Sequence, residues 1–279
     1  MRIVSSGKGL HSAGFYKKKK REKRIKLILW ILVGLLFLTL LSFISRDERI
    51  LIIEVVVEEE NVVDKEEIAQ TVRDMLAGRY FWVIPRTNAF IYPRWSIKQD
   101  LLEKFPRLKS VDLDLDGFRT LSVLVEEREP YALYCAGAFS FTNNPDCYLA
   151  DEDGFVFAPA PSFSGAAYFI YATENPIEKP LGKKFIESGE LKRLIVFMES
   201  LFALNIYPVA LEIRDLEYSL FLPAGGRITW RKDADTVIIR SNLEAFLSED
   251  SITKQENFLN RVSEINLTIE NKIYWTLDD

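Results

Sequence analysis

Three carboxylates in the stretch VDLDLDG, namely Asp112, Asp114 and Asp116 followed by Gly117, have the spacing with which a calcium-binding loop opens. Such a loop also needs a bidentate Glu at its twelfth position and a helix on either side. Counted from Asp112, that position is Val123, inside the alternation Leu121, Val123, Val125. Val111, Leu113 and Leu115 alternate in the same way, so the two runs read as a β-hairpin turned near Asp116-Gly117. The aspartates then line its solvated face, and no metal is expected there.

Other reactive groups form no catalytic set. The single histidine, His11, precedes a long apolar segment, which leaves no His-based triad for the region after it. Asp151 and Asp153 have the chemistry for acid/base work, but beside Gly154 they read as turn formers. Neither an H-E-x-x-H zinc motif nor a glycine-rich phosphate loop is present, and no cofactor is expected. A Ser–Lys pair is compatible with the composition, although no motif places one. A membrane-anchored extracytoplasmic hydrolase with a Ser–Lys site is therefore the alternative reading, and it expects a deep pocket where the two side chains converge. Cys135 and Cys147 flank AGAFSFTNNPD, in which Asn143-Asn144-Pro145-Asp146 signals a turn. The residues leave open both a disulfide, worth about 3 kcal/mol, and two reduced thiols.

The charge distribution says where these groups lie. Residues 1–26 hold ten Lys or Arg against Glu22, a balance of +9, while the other 26 basic and 40 acidic residues sum to -14. Between the two, Leu27 to Ile44 reads LILWILVGLLFLTLLSFI, 18 residues without a charge. As a helix it spans roughly 27 Å, close to the thickness of a bilayer core. It has no polar face, unlike a buried core helix, and Ser42–Arg46 offers a poor signal-peptidase site. The expectation is an uncleaved anchor at 27–45 with the basic tail 1–26 in the cytoplasm, against lipid head groups, and the acidic bulk outside. That bulk would repel phosphate, so nucleic acid is not expected as a partner.

The outside region, long enough for two cores, begins with a β-branched strand at 50–59. Asp64 and Glu67 then start a helix that stops at Gly78, and Ser96 with Gln99 starts a second, closed by Pro106. Between them, Tyr80, Phe81, Trp82, Phe90, Tyr92 and Trp95 form a dense aromatic loop, whose expected use is chiefly to plug a core. The hairpin strands 108–116 and 120–127 complete a β-α-α-β-β order. After Pro130 come short strands near 131–135, 148–150 and 155–157, then a helix at 191–204. Strands at 209–214, 217–222 and 227–231 follow, with helical stretches at 233–248 and 252–262 and a last strand from Ile265. Ile265, Leu267, Ile269, Ile273 and Trp275 alternate there with Asn266, Thr268, Glu270, Lys272 and Tyr274, the pattern of a strand with one buried face. A strand so late in the chain is a candidate sheet edge.

Several stretches, in this order, resemble the FtsQ/DivIB family of bacterial cell-division proteins. LEKFPRLKSVDLDLDGFRTLSVLVEEREPYALY is similar to the second half of that family's polypeptide-transport-associated (POTRA) domain, ending in Glu127-Arg128-Glu129-Pro130-Tyr131-Ala132. CYLADEDGFVFAP resembles a family hairpin through Asp151, Gly154, Val156 and Phe157, and INLTIENKIYW resembles the last strand of its β-domain. The chain departs from the family at Glu60-Asn61, where a glycine is usual, at Arg119, and at Asn266 and Thr268.

The resemblance implies an α+β protein: a single N-terminal transmembrane helix, a POTRA-like domain at 48–128, and a mixed β-domain at 129–279 with helices packed on its sheet. It implies a non-enzymatic scaffold of the division septum. Ile265, Asn266, Leu267, Thr268, Ile269, Glu270, Asn271, Lys272, Ile273, Tyr274 and Trp275 would take a strand from small bitopic partners of the FtsB/FtsL or DivIC type. The membrane-proximal half would meet other septal proteins, such as those of the FtsK/FtsW type.

Overall fold

The computed structural model describes residues 13–58, 65–142, 147–161, 168–253, 257–270 and 272–277. His11, Glu60-Asn61, Asp64, Asn143 to Asp146 and Asn271 lie outside them. The chain is a mixed α+β protein headed by one apolar helix and carrying one large sheet. That helix, α1 (Ala13–Ile44), contains Lys20–Ile44, which is long and apolar enough to cross a membrane. None of its most apolar stretch is buried, and Trp30, Phe37 and Phe43 project from it into the open. An apolar stretch with no polar face, none of it buried among the described residues, differs from the half-buried helix of a protein core.

The chain divides into two compact units, residues 1–99 with 112–124 and residues 100–111 with 125–279. In the first, a 3-10 turn at Glu48–Ile50, capped by Asp47, precedes β1 (Glu54–Glu58). The strand expected from Ile50 thus starts later. Residues 50–52 pair instead with the loop at 87–89, through Ile52 N–H to Thr87 O (2.7 Å) and Ala89 N–H to Ile50 O (2.9 Å). α2 (Lys65–Leu76) buries Ile68, Ala69, Val72 and Leu76, and Gly78 leaves the helix at a positive φ of 101°. A two-residue ribbon follows, β2 (Arg79–Tyr80) with β3 (Ile84–Pro85).

α3 (Arg94–Lys104) begins two residues before the expected Ser96 start. Pro93 opens its first turn by accepting from Ile97 N–H, so Ser96 lies inside the helix. β4 (Leu108–Asp116) and β5 (Thr120–Glu127) have the expected bounds, turning at Gly117 with φ 67°. The three-stranded order is β1-β5-β4, with β1 parallel to β5 from Glu54↔Thr120 to Glu58↔Leu124.

The second unit is built on ten strands: β6 (Ala132–Ala136), β7 (Cys147–Ala150), β8 (Phe155–Pro159), β9 (Phe169–Thr173), β10 (Lys183–Lys184), β11 (Ala210–Ile213), β12 (Glu217–Phe221), β13 (Arg227–Arg231), β14 (Val262–Asn266) and β15 (Tyr274–Leu277). Their spatial order is β10-β8-β7-β6-β9-β11-β12-β13-β14-β15. The helices are α4 (Ser188–Leu201), α5 (Thr236–Leu247), α6 (Asp250–Thr253) and α7 (Phe258–Arg261).

One face of the sheet meets α4 and α5. Leu191, Leu194, Phe197, Met198 and Leu201 of α4 join Leu211, Tyr218, Leu220, Ile228 and Trp230 of the sheet, together with Ile239 and Leu243 of α5. Trp230 is fully buried, 5.1 Å from the Phe197 ring and 5.5 Å from Tyr218. Each such fully buried side chain stabilises the fold by about 1.5–3 kcal/mol. The Tyr218 hydroxyl, at the rim of this core, donates to Glu190.

Candidate protein-binding edge

The residues expected to bind a partner do not form one strand. β14 lies parallel beside β13, and its Val262 and Ile265 are buried in the core shared with α5. The chain then turns. Asn266 Oδ1 accepts from Thr268 N–H (3.0 Å) and Thr268 Oγ1 (2.7 Å), which holds the backbone out of strand geometry. Leu267, still buried, donates its N–H to Thr229 O, while Ile269 is 50% exposed and Glu270 and Lys272 are open to solvent.

β15 then returns antiparallel to β14, with Ile265 opposite Trp275 and Asn266 opposite Tyr274. The two-residue period carries on through the turn for a simple reason. Ile273 and Leu277 come back to the core that Ile265 and Leu267 enter. Trp275 leans on Phe258 (5.6 Å) and Phe246 (6.3 Å), whose rings also touch each other.

β15 ends the sheet, and among the described residues no strand lies beyond it. The two sheet ends differ in kind. β10 is two exposed lysines, Lys183-Lys184, a short charged edge that resists pairing. β15 is Tyr-Trp-Thr-Leu, four residues without a charge. Ahead of it in the chain, a cleft of about 520 Å³ opens between the start of α5 and residues 267–270, with Arg231, Asp233, Ile238, Asn242 and Ile269 on its walls. Arg231 and Asp233 are joined by two hydrogen bonds, which hold the carboxyl below and the guanidinium above their ordinary ranges. Both are exposed, so the pair shapes the cleft more than it stabilises the fold.

Gly226 decides whether this edge exists. A Cβ there would stand 2.2 Å from the carbonyl oxygen of Val262, so β13 and β14 approach this closely only across a glycine. The tight β12–β13 turn, with Gly225 at φ 105°, delivers it. Sequence reasoning passed over Gly225-Gly226, although a Gly-Gly pair between two strands is a signal of close backbone approach.

The other candidate residues divide clearly. Cys135 and Cys147 sit directly opposite each other on β6 and β7 and are joined as a disulfide. Phe139, shortly after Cys135, lies over the sheet's second face, where it packs on Phe221 (4.7 Å) and its N–H reaches the buried Glu212 carboxylate. Asp112, Asp114 and Asp116 are exposed along β4, and Asp112 is held by Lys98, whose hydrogen bond and charge lower the carboxyl's pKa. Among the described residues, no group of three or more ligand-type side chains is arranged for a metal.

Asp151 is buried and accepts N–H bonds from Asp153 (3.0 Å) and Phe155 (2.9 Å) as the cap of its turn. It also pairs with Arg128, whose guanidinium lies 3.8 Å from the Phe155 ring centre. Two motifs separated in sequence thus meet in one largely buried contact. Lys184 and Ser188 converge at 2.5 Å, but at the exposed start of α4, outside the clefts described, and the Ser188 hydroxyl donates to Asp153 O. That geometry is a capped turn, with the serine oxygen's proton already committed.

A scan of the sequence against protein-family models finds no match, and a search of curated proteins finds no matching relative either.

Proposed function

We propose that the chain is a bitopic scaffold of the FtsQ/DivIB kind, held in the membrane by α1 with its basic tail inside and both folded units outside. It acts by adding a partner's strand to β15 and performs no catalysis. The observation that carries this reading is the contrast between the sheet's ends: β10 is blunted by two lysines, while β15 is uncharged and propped from behind by Trp275. Backbone groups along the open side of β15 would supply the affinity, and Tyr274, Thr276 and the cleft beside Ile269 the selectivity.

The β-α-α-β-β order, with β1 parallel to β5, supports a POTRA-like first unit. The Arg128–Asp151 pair, which ties together two of the motifs behind the resemblance, supports the same family. The partners on this reading are small bitopic division proteins of the FtsB/FtsL or DivIC type at β15, and septal proteins such as the FtsK/FtsW type at the membrane-proximal half.

The test is a double variant, Tyr274→Lys with Thr276→Lys, which charges the edge without touching the core. Pull-down of the FtsB/FtsL- or DivIC-type protein of the same organism should weaken by about tenfold or more, equal to about 1.4 kcal/mol, with an unchanged circular dichroism spectrum. Undiminished capture would sink the edge-strand reading. Truncation from residue 265 is a poorer test, because it also strips Ile265 and Leu267 from the core. A fluorescent fusion that fails to gather at the septum would remove the divisome role.

A further inference from the structure

The aromatic loop after α2 does not plug a core. Phe81 and Trp82, at the tip of the β2–β3 ribbon, are 90% and 92% exposed, and Phe90 and Trp95 are largely exposed as well. Phe81 and Trp82 also hold positive φ angles, 47° and 67°, in a turn that would ordinarily take Asn or Gly. Two large aromatic side chains in a conformation that disfavours them, both turned to the outside, are poorly explained by folding alone.

Their position relative to the end of α1 is defined by direct contacts within the first unit. The buried Asn88 side chain donates to Ser45 O (3.2 Å) and Ser45 Oγ (3.1 Å), one residue past the helix. Arg46 Nη2 reaches Val83 O at 3.5 Å, next to the aromatic pair. The segment 50–52 is in turn laced to 87–89. The ribbon tip therefore sits beside the outer end of the apolar helix.

We infer that Phe81 and Trp82 form a foot that enters the outer head-group layer of the bilayer. This rests on α1 spanning the membrane. The polar layer outside the hydrocarbon core is roughly 5–8 Å thick on each side, and the ribbon whose Val83 is bonded to Arg46 starts within it. Tryptophan and phenylalanine are suited to that layer, burying apolar rings where lipid chains meet head groups. Arg46, Arg49, Arg79 and Arg86 stand nearby in sequence and ribbon and outnumber Asp47 and Glu48 there, a net positive charge that suits anionic head groups. The lipid surface is the occupant because the ribbon that carries the exposed rings is bonded, through Val83, to Arg46 just past the anchor's end. Held at two points, the helix and the ribbon tip, the first unit cannot swing freely about residues 45–47.

The disulfide uses both cysteines of the chain, so an introduced cysteine is its only free thiol. Full-length Trp82→Cys and Phe81→Cys, each labelled with an environment-sensitive dye, are reconstituted in phosphatidylcholine/phosphatidylglycerol vesicles. Leu36→Cys, in the middle of the apolar helix, reports on the span itself. Head-group-proximal doxyl lipid should quench about half of the dye emission at 82 and 81, while aqueous iodide quenches little. Deep doxyl lipid should quench the dye at 36. Quenching at 36 with iodide-accessible dyes at 81 and 82 would overturn the foot, leave the span intact and free the rings for a protein occupant. No lipid quenching at any of the three positions would overturn both the span and the foot.

Discussion

Replacing Gly226 by alanine adds one methyl group and should loosen the β14–β15 edge from β13. The new Cβ would lie 2.2 Å from Val262 O, whereas ordinary contact begins near 3.4 Å. The two strands must then part by about 1 Å, and the obstacle is backbone, so no rotamer change relieves it. Overpacking typically costs about 1–3 kcal/mol, and a backbone clash belongs at the upper end, about 3 kcal/mol. Gly225→Ala is the matched control. It sits at φ 105° with nothing within 4 Å, so its cost is conformational, about 1 kcal/mol. At about 1.4 kcal/mol per tenfold, Gly226→Ala should raise the unfolded-to-folded ratio roughly 100-fold, against under tenfold for Gly225→Ala. Urea unfolding of the full chain in detergent, followed by tryptophan fluorescence, measures both. Hydrogen exchange should show the added opening concentrated in the β14–β15 amides. A Gly226→Ala midpoint no lower than that of Gly225→Ala would refute the argument. So would β14–β15 amides as protected as in the parent.

Two further outcomes follow from buried contacts. Asp151→Ala strands Arg128 against Phe155 with its charge unpaired, and should cost about 3–5 kcal/mol, with the Arg128→Ala/Asp151→Ala double variant costing less than the sum. Additive losses in that cycle would dismiss the pair as a coupled contact. Tyr171 is held above the ordinary tyrosine range by burial, and Tyr218 by burial and by its bond to Glu190. The folded state keeps these protons to higher pH than the unfolded chain does. Their contribution to stability is therefore complete below about pH 10 and is lost as pH rises past it. Urea midpoints should fall in step with tyrosinate absorbance above that pH, and a level profile to about pH 12 would contradict the assignment.

Periodicity decided the parts of this protein whose partners are close in sequence. The 18-residue apolar run became the second half of α1 because a helix of that length with no polar face needs no neighbour to define it. β4 and β5 matched their expected bounds because strict alternation on both sides of Gly117 determines face, turn and register together. The three aspartates were assigned to solvent by the same rule. β9 escaped that rule: it lies mid-sheet between two parallel neighbours, with both faces covered, so FIYAT carries no alternation to read.

What only the tertiary structure decided depends on pairs of residues distant in the chain. Alternation from Ile265 to Trp275 is the same for one strand and for a hairpin whose arms enter a common core, and the side chain of Asn266 chose the hairpin. Aromatic content near residues 80–95 is the same for a plug and for an exposed tip, and the bonds of Asn88 to Ser45 and of Arg46 to Val83, which leave Phe81 and Trp82 outside, decided for the tip. Arg128 finds Asp151, and Gly226 meets Val262, only once the sheet is assembled. Local pattern reports which way a side chain faces; what it faces is settled by contacts between segments that the pattern does not relate.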